Sequence, residues 1–251
     1  MPLEVRDVGD HVTLITIDNQ AKRNAMSRAM LAELAALWDR LDGSDTRCVV
    51  VTGAGDKGFC AGADIAGDLS ADATTAHTIN RALLKTSTFS KPIIAAVNGD
   101  CAGGGVELLL ATDIRAAAPH ARFGLPEVRY AIYPFGGATV KLVQQIAHVH
   151  AMDLLLTGRL VDAAYAERIG LINQVVPAGG LLDWAMDKAR AIAANSPAAV
   201  QAVKTQISAG IADYATSRET LEQKLGDQVR ASPDFAEGIA AFRDKRKPNY
   251  V

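Results

Sequence analysis

The chain has 251 residues, of which 49% are hydrophobic and 22% charged, and its net charge is −2. These proportions are ordinary for a globular protein, and a chain of this length can bury roughly 70% of its unfolded surface. A net negative charge argues against general nucleic-acid binding, which depends on many lysine and arginine contacts to phosphates. We therefore expect a folded protein that binds any phosphate group through local positive charge.

Cysteine content and hydropathy predict where the protein works. Three cysteines, Cys48, Cys60 and Cys101, are too few for a disulfide framework and indicate a reducing compartment. No apolar run approaches the roughly 18 to 20 residues of a membrane span, and the opening residues lack a secretory apolar core. We therefore predict a cytoplasmic protein without a membrane partner.

The first part of the chain predicts alternating strands and helices. In order, these are a hairpin over residues 3–18, a helix over 28–41 capped by Ser27, a strand over 48–51, a helix around 76–89 and a strand over 93–97. The apolar run at 48–51 is continuous, which is typical of a strand covered on both faces. These elements favour an α/β fold.

The remainder becomes progressively helical. We predict a strand over 113–117, an irregular link over 121–137, helices over 137–146, 151–156 and 161–170, a strand over 172–176, and helices over 181–194, 197–210, 217–231 and 233–242. No linker composition separates the two parts. We interpret the chain as an α/β core to about residue 190, followed by a helical region.

Three consecutive glycines, Gly103 to Gly105, connect the predicted strand 93–97 to a helix expected from about Val106. Unpaired N–H groups at a helix start, at the positive end of its dipole, form a site for an anion. Glu107 lies three residues after Gly104 on the same face of the helix, and helical side chains lean toward the N-terminus. A negative carboxylate beside a pocket that binds an anion is electrostatically unfavourable, which favours a carboxyl that moves a proton. The alternative is a packing turn with Glu107 at a polar edge.

A second turn rich in glycine and alanine covers residues 59–65 and also follows a predicted strand. If the two strands are neighbours, backbone N–H groups from both turns can converge on one oxygen. Such a pair of donors stabilises an enolate or a tetrahedral anion. The two turns together therefore predict an oxyanion hole.

Other chemical motifs are missing or incomplete. The GAGDKG stretch at 53–58 lacks the Gly-Lys-Ser/Thr ending of a phosphate loop, and there is no Gly-x-Ser-x-Gly nucleophile elbow. The histidines lack metal-ligand spacing. Cys60 and Cys101 have no evident histidine partner, so we interpret them as apolar packing. We predict no metal and no cofactor.

The chain closely resembles the crotonase superfamily, specifically the enoyl-CoA hydratase/isomerase family, in CAGADI at 60–65, AAVNGDCAGGGVELLLATD at 95–113, ARFGLPEV at 121–128 and FRDKRKPNY at 242–250. The resemblance implies a crotonase-like α/β spiral of β-β-α units with a C-terminal helical region. Residues 1–190 would form the core with the CoA and catalytic site. Residues 191–251 would form the trimerisation region of a homotrimer or a dimer of trimers.

The resemblance also assigns catalytic residues. The oxyanion hole of the family matches the backbone N–H groups of Ala63 and Gly104, and the two hydratase carboxylates match Glu107 and Glu127. Both carboxylates together imply hydration of a trans-2-enoyl-CoA to a 3-hydroxyacyl-CoA. We expect Glu107 to activate water and Glu127 to protonate the α-carbon while the hole holds the enolate oxygen.

Coenzyme A, as part of the substrate, would contact three stretches of the chain by the same resemblance. These contacts would come from Lys22, Arg23 and Ala25, from Ala61, Asp64 and Ile65, and from Phe242 and Lys245. Phe242 and Lys245 match positions that commonly reach CoA across a subunit interface. Arg246 and Lys247 are interpreted as a solvated helix end.

The chain departs from the family pattern after Glu127. Many hydratases have Leu-Gly, an apolar pair and Pro-Gly there, whereas this chain has aromatic residues at Tyr130, Tyr133 and Phe135. The aromatic side chains either pack beneath a helix or reshape the acyl pocket. Enoyl-CoA isomerisation, other acyl-CoA enolate chemistry and non-catalytic acyl-CoA binding are the alternative functions. Lys141 stands where the family has an arginine.

Overall fold

The computed structural model describes residues 3–63 and 73–250. These residues form two β-sheets with helices between and around them. The strands are β1 (Leu3–Asp7), β2 (Val12–Ile17), β3 (Cys48–Gly53), β4 (Gly58–Cys60), β5 (Ile93–Val97), β6 (Asp100–Ala102), β7 (Ile114–Ala117), β8 (Arg122–Gly124), β9 (Leu160–Asp162) and β10 (Gln174–Val175).

Most helices lie between strands in the chain, and the last three helices follow one another. They are α1 (Arg28–Asp42), α2 (Ala73–Ala82), α3 (Gly104–Leu109), α4 (Ala138–Gln145), α5 (His148–Thr157), α6 (Ala163–Arg168), α7 (Leu181–Ala193), α8 (Pro197–Arg230) and α9 (Pro233–Arg243). Short 3₁₀ turns cover Gln20–Lys22, Pro126–Tyr130 and Ala178–Gly180.

The larger sheet has the strand order β1-β2-β3-β5-β7-β10, and the smaller sheet has the order β4-β6-β8-β9. Among the strands that the structure describes, the β1–β2 and β8–β9 pairs are antiparallel and the other pairs are parallel. The chain passes from the larger sheet to the smaller one three times, from β3 to β4, from β5 to β6 and from β7 to β8. This repetition is the predicted spiral of β-β-α units.

The larger sheet is covered on both faces. Along β3, Val49 and Val51 pack into the main core, while Cys48 and Val50 pack into a second cluster with Ala185 and other residues of α7. A strand with two buried faces carries apolar residues at every position rather than at alternate ones. The prediction of a doubly covered strand from its continuous apolar run is confirmed.

Several other predicted elements are confirmed with small changes in their ends. The hairpin is the β1–β2 pair, and β5 has the predicted bounds. Helix α1 begins at Arg28, where the Met30 amide donates a hydrogen bond of 3.3 Å to the Ser27 hydroxyl as an N-cap. Strong periodicity and a recognisable cap explain why these segments were predictable.

Other expectations are corrected. The strands of the smaller sheet have three residues each, which is too short to show a hydrophobic period, and β8 lies inside the segment predicted as an irregular link. Helix α2 ends at Ala82 rather than continuing to 89, because Leu84 adopts a left-handed φ of +47° and the Leu84 and Lys85 amides donate back to the last carbonyls of the helix. The helices predicted over 197–210 and 217–231 are one continuous helix, α8, which ends at Arg230 and tolerates Gly210 in its interior.

The C-terminal part begins where α7 covers the larger sheet. Helix α8 is 34 residues long and contacts α4, and α9 contacts the 3₁₀ turn Pro126–Tyr130. The boundary predicted after residue 190 falls in the last turn of α7, and the division into two domains stays a prediction. In the described part of the chain, no helix combines the length and the hydropathy needed to cross a membrane.

The fold requires a glycine at 105. A Cβ atom there would overlap the Cys60 carbonyl oxygen, which is backbone and has little freedom to move. We predict that Gly105→Ala lowers the free energy of unfolding by about 3 kcal/mol, because the steric overlap outweighs the better helix propensity of alanine. Denaturant unfolding measures this change.

Gly43→Ala is the matched control. A Cβ at Gly43 would meet only two carbonyl oxygens, each at 3.9 Å, and its φ of −84° suits alanine. This variant should be neutral or stabilising by about 0.5 kcal/mol. Equal effects of the two substitutions would show that the contact at Gly105 does not constrain the fold.

Candidate active site

The two glycine turns leave neighbouring strands of the smaller sheet. Strand β4 pairs with β6 in parallel, with Gly58 opposite Asp100 and Cys60 opposite Cys101. Because parallel strands end at the same edge of a sheet, the turns that follow them lie side by side. The strands that lead into the two turns are therefore neighbours, as the predicted oxyanion hole requires.

Their backbones approach closely. A Cβ atom on Gly104 would lie 3.3 Å from the Ala63 amide nitrogen, and one on Gly62 would lie 3.1 Å from the Gly104 amide nitrogen. Within residues 3–63 and 73–250, neither the Ala63 nor the Gly104 amide donates a hydrogen bond. Ala63 is exposed and Gly104 is half-buried, so both N–H groups are open to a ligand oxygen.

Gly103 forms the N-cap of α3, which begins at Gly104, two residues earlier than expected. Its φ of +56° lies in the left-handed region, which glycine adopts without a steric penalty. Its amide donates to the Gly124 carbonyl at 2.9 Å, and a Cβ atom on it would lie 2.9 Å from Oε1 of Glu127. The missing side chain therefore lets the Glu127 carboxyl lie against the turn.

Glu107, in the first turn of α3, is only 5% exposed. Its Oε1 accepts a hydrogen bond of 3.2 Å from the Ala138 amide at the start of α4. Burial raises the pKa of Glu107 to about 7, although this amide and the positive charge of Lys85 favour the ionised form. A carboxyl with such a pKa can exchange a proton near neutral pH.

Glu127 comes from a different element, the 3₁₀ turn Pro126–Tyr130. Its Oε2 is buried and has no hydrogen-bond partner among the described residues. Burial, followed by the charge of Glu107, raises the pKa of Glu127 to about 8. The two carboxyls therefore interact electrostatically beside the paired turns, an arrangement that concentrates at functional sites.

The segment predicted to contact CoA lies next to the first turn. The Arg23 carbonyl accepts a hydrogen bond of 3.1 Å from the Ala61 amide, and the Met26 amide donates to the Gly62 carbonyl at 2.8 Å. Ala25 is buried in this segment, whereas Lys22 and Arg23 are exposed beside it. Arg23 also pairs with Asp100 at 3.4 Å. The structure thus brings Lys22, Arg23 and Ala25 together with Ala61 and Ala63.

Phe242 and Lys245 lie in another part of the chain. The Phe242 ring packs edge-on against Tyr130, with ring centroids 5.1 Å apart, and Lys245 is exposed just beyond α9. The hydrogen bonds and ring contacts of the described residues connect them to the Glu127 turn and not to the Arg23 segment. Asp64 and Ile65, also predicted CoA contacts, lie outside the described residues.

The three aromatic residues after Glu127 have different surroundings. Tyr130 contacts Phe242, and Phe135 lies against Gly226 of α8 and under the Arg230 guanidinium, 4.6 Å from it. Only Tyr133 lines a mostly apolar cavity of about 780 Å³, which α4, α5, α8 and α9 also border. Packing beneath helices therefore accounts for two of them, while the third faces open volume.

The cysteines and metal-ligating residues add no further chemistry to the site. All three thiols are free and buried, and burial raises the pKa of Cys60 to about 12, so this thiol stays protonated at neutral pH. No cluster of three metal-ligating side chains occurs in the part of the chain that the structure describes.

Sequence reasoning missed the group that holds Glu107. This group is the Ala138 amide, which Gly136 and Gly137 precede in the chain. A Cβ on Gly136 would overlap Oε2 of Glu107, so this pair of glycines lets α4 approach the carboxylate. The two consecutive glycines in the sequence could have indicated a second helix start with free amides near the site. The buried side chains of Lys85 and Glu222 gave no such signal.

Known proteins are similar to this chain in sequence over nearly its whole length. The chain is 42% identical over 248 residues to an enoyl-CoA hydratase of Mycobacterium tuberculosis, covering 96% of this chain and 93% of that protein. It is 37% identical over 247 residues to a mevalonyl-coenzyme A hydratase of Aspergillus fumigatus, covering 96% of this chain and 91% of that protein.

Solved structures share the fold. A carnitinyl-CoA hydratase from Mycobacterium avium superposes with a TM-score of 0.88 at 36% identity, covering 99% of this chain and 98% of the other. An enoyl-CoA hydratase/isomerase from Pseudoalteromonas atlantica reaches a TM-score of 0.91 at 29% identity and full coverage of both chains. The sequence model of the enoyl-CoA hydratase/isomerase family matches residues 7–251. The crotonase-like fold is thus confirmed, and the chain belongs to the enoyl-CoA hydratase/isomerase family.

Proposed function

We propose that this protein is an enzyme of CoA thioesters that adds water across the double bond of a trans-2-enoyl-CoA. The observation that carries the proposal is the pair of buried carboxyls, Glu107 and Glu127, beside two adjacent amides that have no acceptor among the described residues. Hydration requires a base, an acid and a stabilised oxyanion, and these residues can supply all three. No metal or redox cofactor is needed for these roles.

In the proposed reaction, the thioester oxygen accepts hydrogen bonds from the Ala63 and Gly104 amides. Ionised Glu107 removes a proton from water, and the water oxygen bonds to C3 of the substrate. The electron pair of the double bond moves to the thioester oxygen, forming an enolate that the two amides stabilise. Protonated Glu127 then gives its proton to C2, and solvent exchange returns both carboxyls to their starting states. Dehydration reverses these roles.

The CoA part would extend from the turns over the Lys22–Ala25 segment and Ala61. Exposed Lys22 and Arg23 supply local positive charge for phosphate groups in a protein whose net charge is −2. Phe242 and Lys245 would contact CoA from another side or another subunit. The apolar cavity lined by Tyr133 suits an apolar acyl group, since its volume is in the range of small-molecule pockets.

Substitution of each glutamate tests the proposal. We predict that Glu107→Gln and Glu127→Gln each lower kcat/KM for hydration by about 10² to 10⁴, because glutamine keeps the shape but cannot exchange the proton. The measurement is the loss of enoyl-thioester absorbance across a panel of acyl chain lengths. Glu4→Gln is the control, since Glu4 is exposed in β1 at the edge of the larger sheet, whereas the turns leave strands of the smaller sheet.

The products distinguish the alternatives. Hydration incorporates one solvent oxygen at C3, whereas isomerisation moves the double bond without taking up oxygen. A protein that binds acyl-CoA but consumes none would be a binding protein. Full activity of both glutamine variants would also refute the proposed mechanism.

The pKa shifts predict a pH profile. Because Glu107 must be ionised, activity falls as the pH drops through its pKa of about 7, and because Glu127 must be protonated, activity falls as the pH rises through its pKa of about 8. We therefore expect kcat/KM to show a narrow maximum between these values. A rate that stays constant down to about pH 5 would indicate carboxyls with ordinary pKa values and contradict the assignment.

We also propose that the chain assembles as a homotrimer or a dimer of trimers. In support, exposed apolar residues recur along one face of α8 at intervals of four and seven residues, at Val203, Ile207, Tyr214, Leu221 and Leu225. Val203 and Ile207 are 63% and 60% exposed in the single chain. A continuous apolar stripe of this kind is typical of a helix that packs against a partner.

A charge on this stripe should weaken assembly. We predict that Ile207→Glu shifts the protein from a trimeric toward a monomeric mass in light scattering, because burying an unpaired carboxylate at an interface is costly. Thr205→Glu, on the opposite side of the same helix turn, should leave the mass unchanged. A monomeric parent protein would rule out the assembly.

A further inference from the structure

A buried ion pair lies behind the candidate site. Lys85 Nζ is 2.8 Å from Glu222 Oε2, and the two side chains are 4% and 5% exposed. Lys85 follows α2, whereas Glu222 belongs to α8. The pair therefore connects the α/β core to the C-terminal helices.

Glu222 also holds the start of α4. Its Oε1 accepts a hydrogen bond of 2.6 Å from the Thr139 hydroxyl, which in turn accepts one of 3.5 Å from the Tyr133 hydroxyl. Thr139 directly follows Ala138, whose amide donates to Glu107. Two consecutive residues of α4 therefore bind two different buried carboxylates.

The backbone near Lys85 is fixed by a second lysine. Lys141 Nζ donates to the Leu83 carbonyl at 3.1 Å and also to the Leu84 carbonyl. Leu84 has a φ of +47°, a conformation that a leucine keeps only where its surroundings impose it. The Lys85 amide donates to the Asn80 carbonyl at 2.8 Å. These hydrogen bonds hold the backbone from which the Lys85 side chain extends.

Stability alone does not explain this pair. Removing two charges from water costs free energy, and replacing a buried ion pair by packed apolar side chains is often neutral or stabilising. Removing one partner, by contrast, leaves an uncompensated charge in the interior. The proximity of both charges to Glu107 suggests a role in the chemistry of that carboxylate.

We propose that Lys85 and Glu222 are positioning residues that act together on Glu107. Lys85 favours the ionised carboxylate that receives the proton of water. Glu222 limits the effect of that positive charge and, through Thr139, holds the helix start whose Ala138 amide binds Glu107. The inference rests on the proposed hydratase function, and it assigns to α8 a part in the proton chemistry of the core.

Five charged or titratable groups surround Glu107. They are Glu127 on the 3₁₀ turn, Tyr133 before α4, Lys141 on α4, Lys85 after α2 and Glu222 on α8. Among them, the charge of Lys85 lowers the pKa of Glu107 and the charge of Glu222 raises it. Neutralising Lys85 should therefore raise the pKa of Glu107, and neutralising Glu222 should lower it.

The test compares Lys85→Met, Glu222→Gln and the double variant by the acid-side midpoint of kcat/KM. We expect Lys85→Met to raise the midpoint by about one pH unit and Glu222→Gln to lower it by about one pH unit. The double variant should lie near the parent value. A merely structural pair would reduce activity or stability in every variant without opposite shifts, and that result would overturn the proposal.

Lys91→Met is the matched control. Lys91 is also buried, but its Nζ donates to the Leu41 and Ser44 carbonyls at 2.6 and 2.7 Å, away from Glu107. Its loss should leave the midpoint unchanged, and a shift equal to that of Lys85→Met would overturn the proposal. If Lys85→Met does not fold, Glu222→Gln decides, since a midpoint that is not lowered refutes the inference.

A direct titration separates this inference from the proposed function. The protonated Glu107 carboxyl has an infrared C=O band that Glu107→Gln lacks, and its pH dependence can be followed without turnover. Opposite shifts of this band in the two single variants would support the positioning role even if no enoyl-CoA is hydrated. Unshifted bands in a protein that does hydrate enoyl-CoA would refute the positioning role alone.

Discussion

The candidate site depends on the close approach of two backbone turns that carry no side chains at their points of contact. A side chain on Gly105 would overlap the Cys60 carbonyl, and one on Gly104 would make a tight contact with the Ala63 amide. The parallel pairing of β4 with β6 brings the turns to one edge of the smaller sheet. Among the described residues, the Ala63 and Gly104 amides are thereby left side by side without protein acceptors and open to an anion.

Burial gives the carboxyls beside these amides their chemical character. Glu107 and Glu127 belong to different elements and meet only because α3 and the 3₁₀ turn both follow strands of the same sheet. Burial raises the pKa of each, and the amide at the start of α4 partly offsets this effect for Glu107. Proton affinity near neutrality is thus a property of the packing around the two side chains.

Much of this could be predicted from local sequence, and the limits have physical causes. Gly104 and Glu107 lie within one helical turn of each other, so the sequence alone could place the amide of one beside the carboxyl of the other. Glu127 had no local signal and was assigned through the family resemblance. The three-residue strands show no period, although they position the turns. A lone glycine in an otherwise helical stretch led to two predicted helices where α8 is continuous.

Contacts between distant parts of the chain were beyond such reasoning. Lys85 and Glu222 are separated by more than half of the chain, and no sequence pattern or spacing relates them. Each one alone would be interpreted as a solvated charge on a helix or loop. Only the three-dimensional packing of α8 against α4 shows that both charges are inside.

Helix α8 therefore has two faces with different tasks, one directed at the interior through Glu222 and one bearing the exposed apolar stripe. A shortened protein that ends before α8 would contain every strand of both sheets and both glycine turns, but it would lack the counter-ion of Lys85 and the carboxylate that accepts a hydrogen bond from Thr139. We therefore expect that the α/β core cannot be isolated as a minimal catalytic fragment, and that efforts to redesign this scaffold must retain the C-terminal helix.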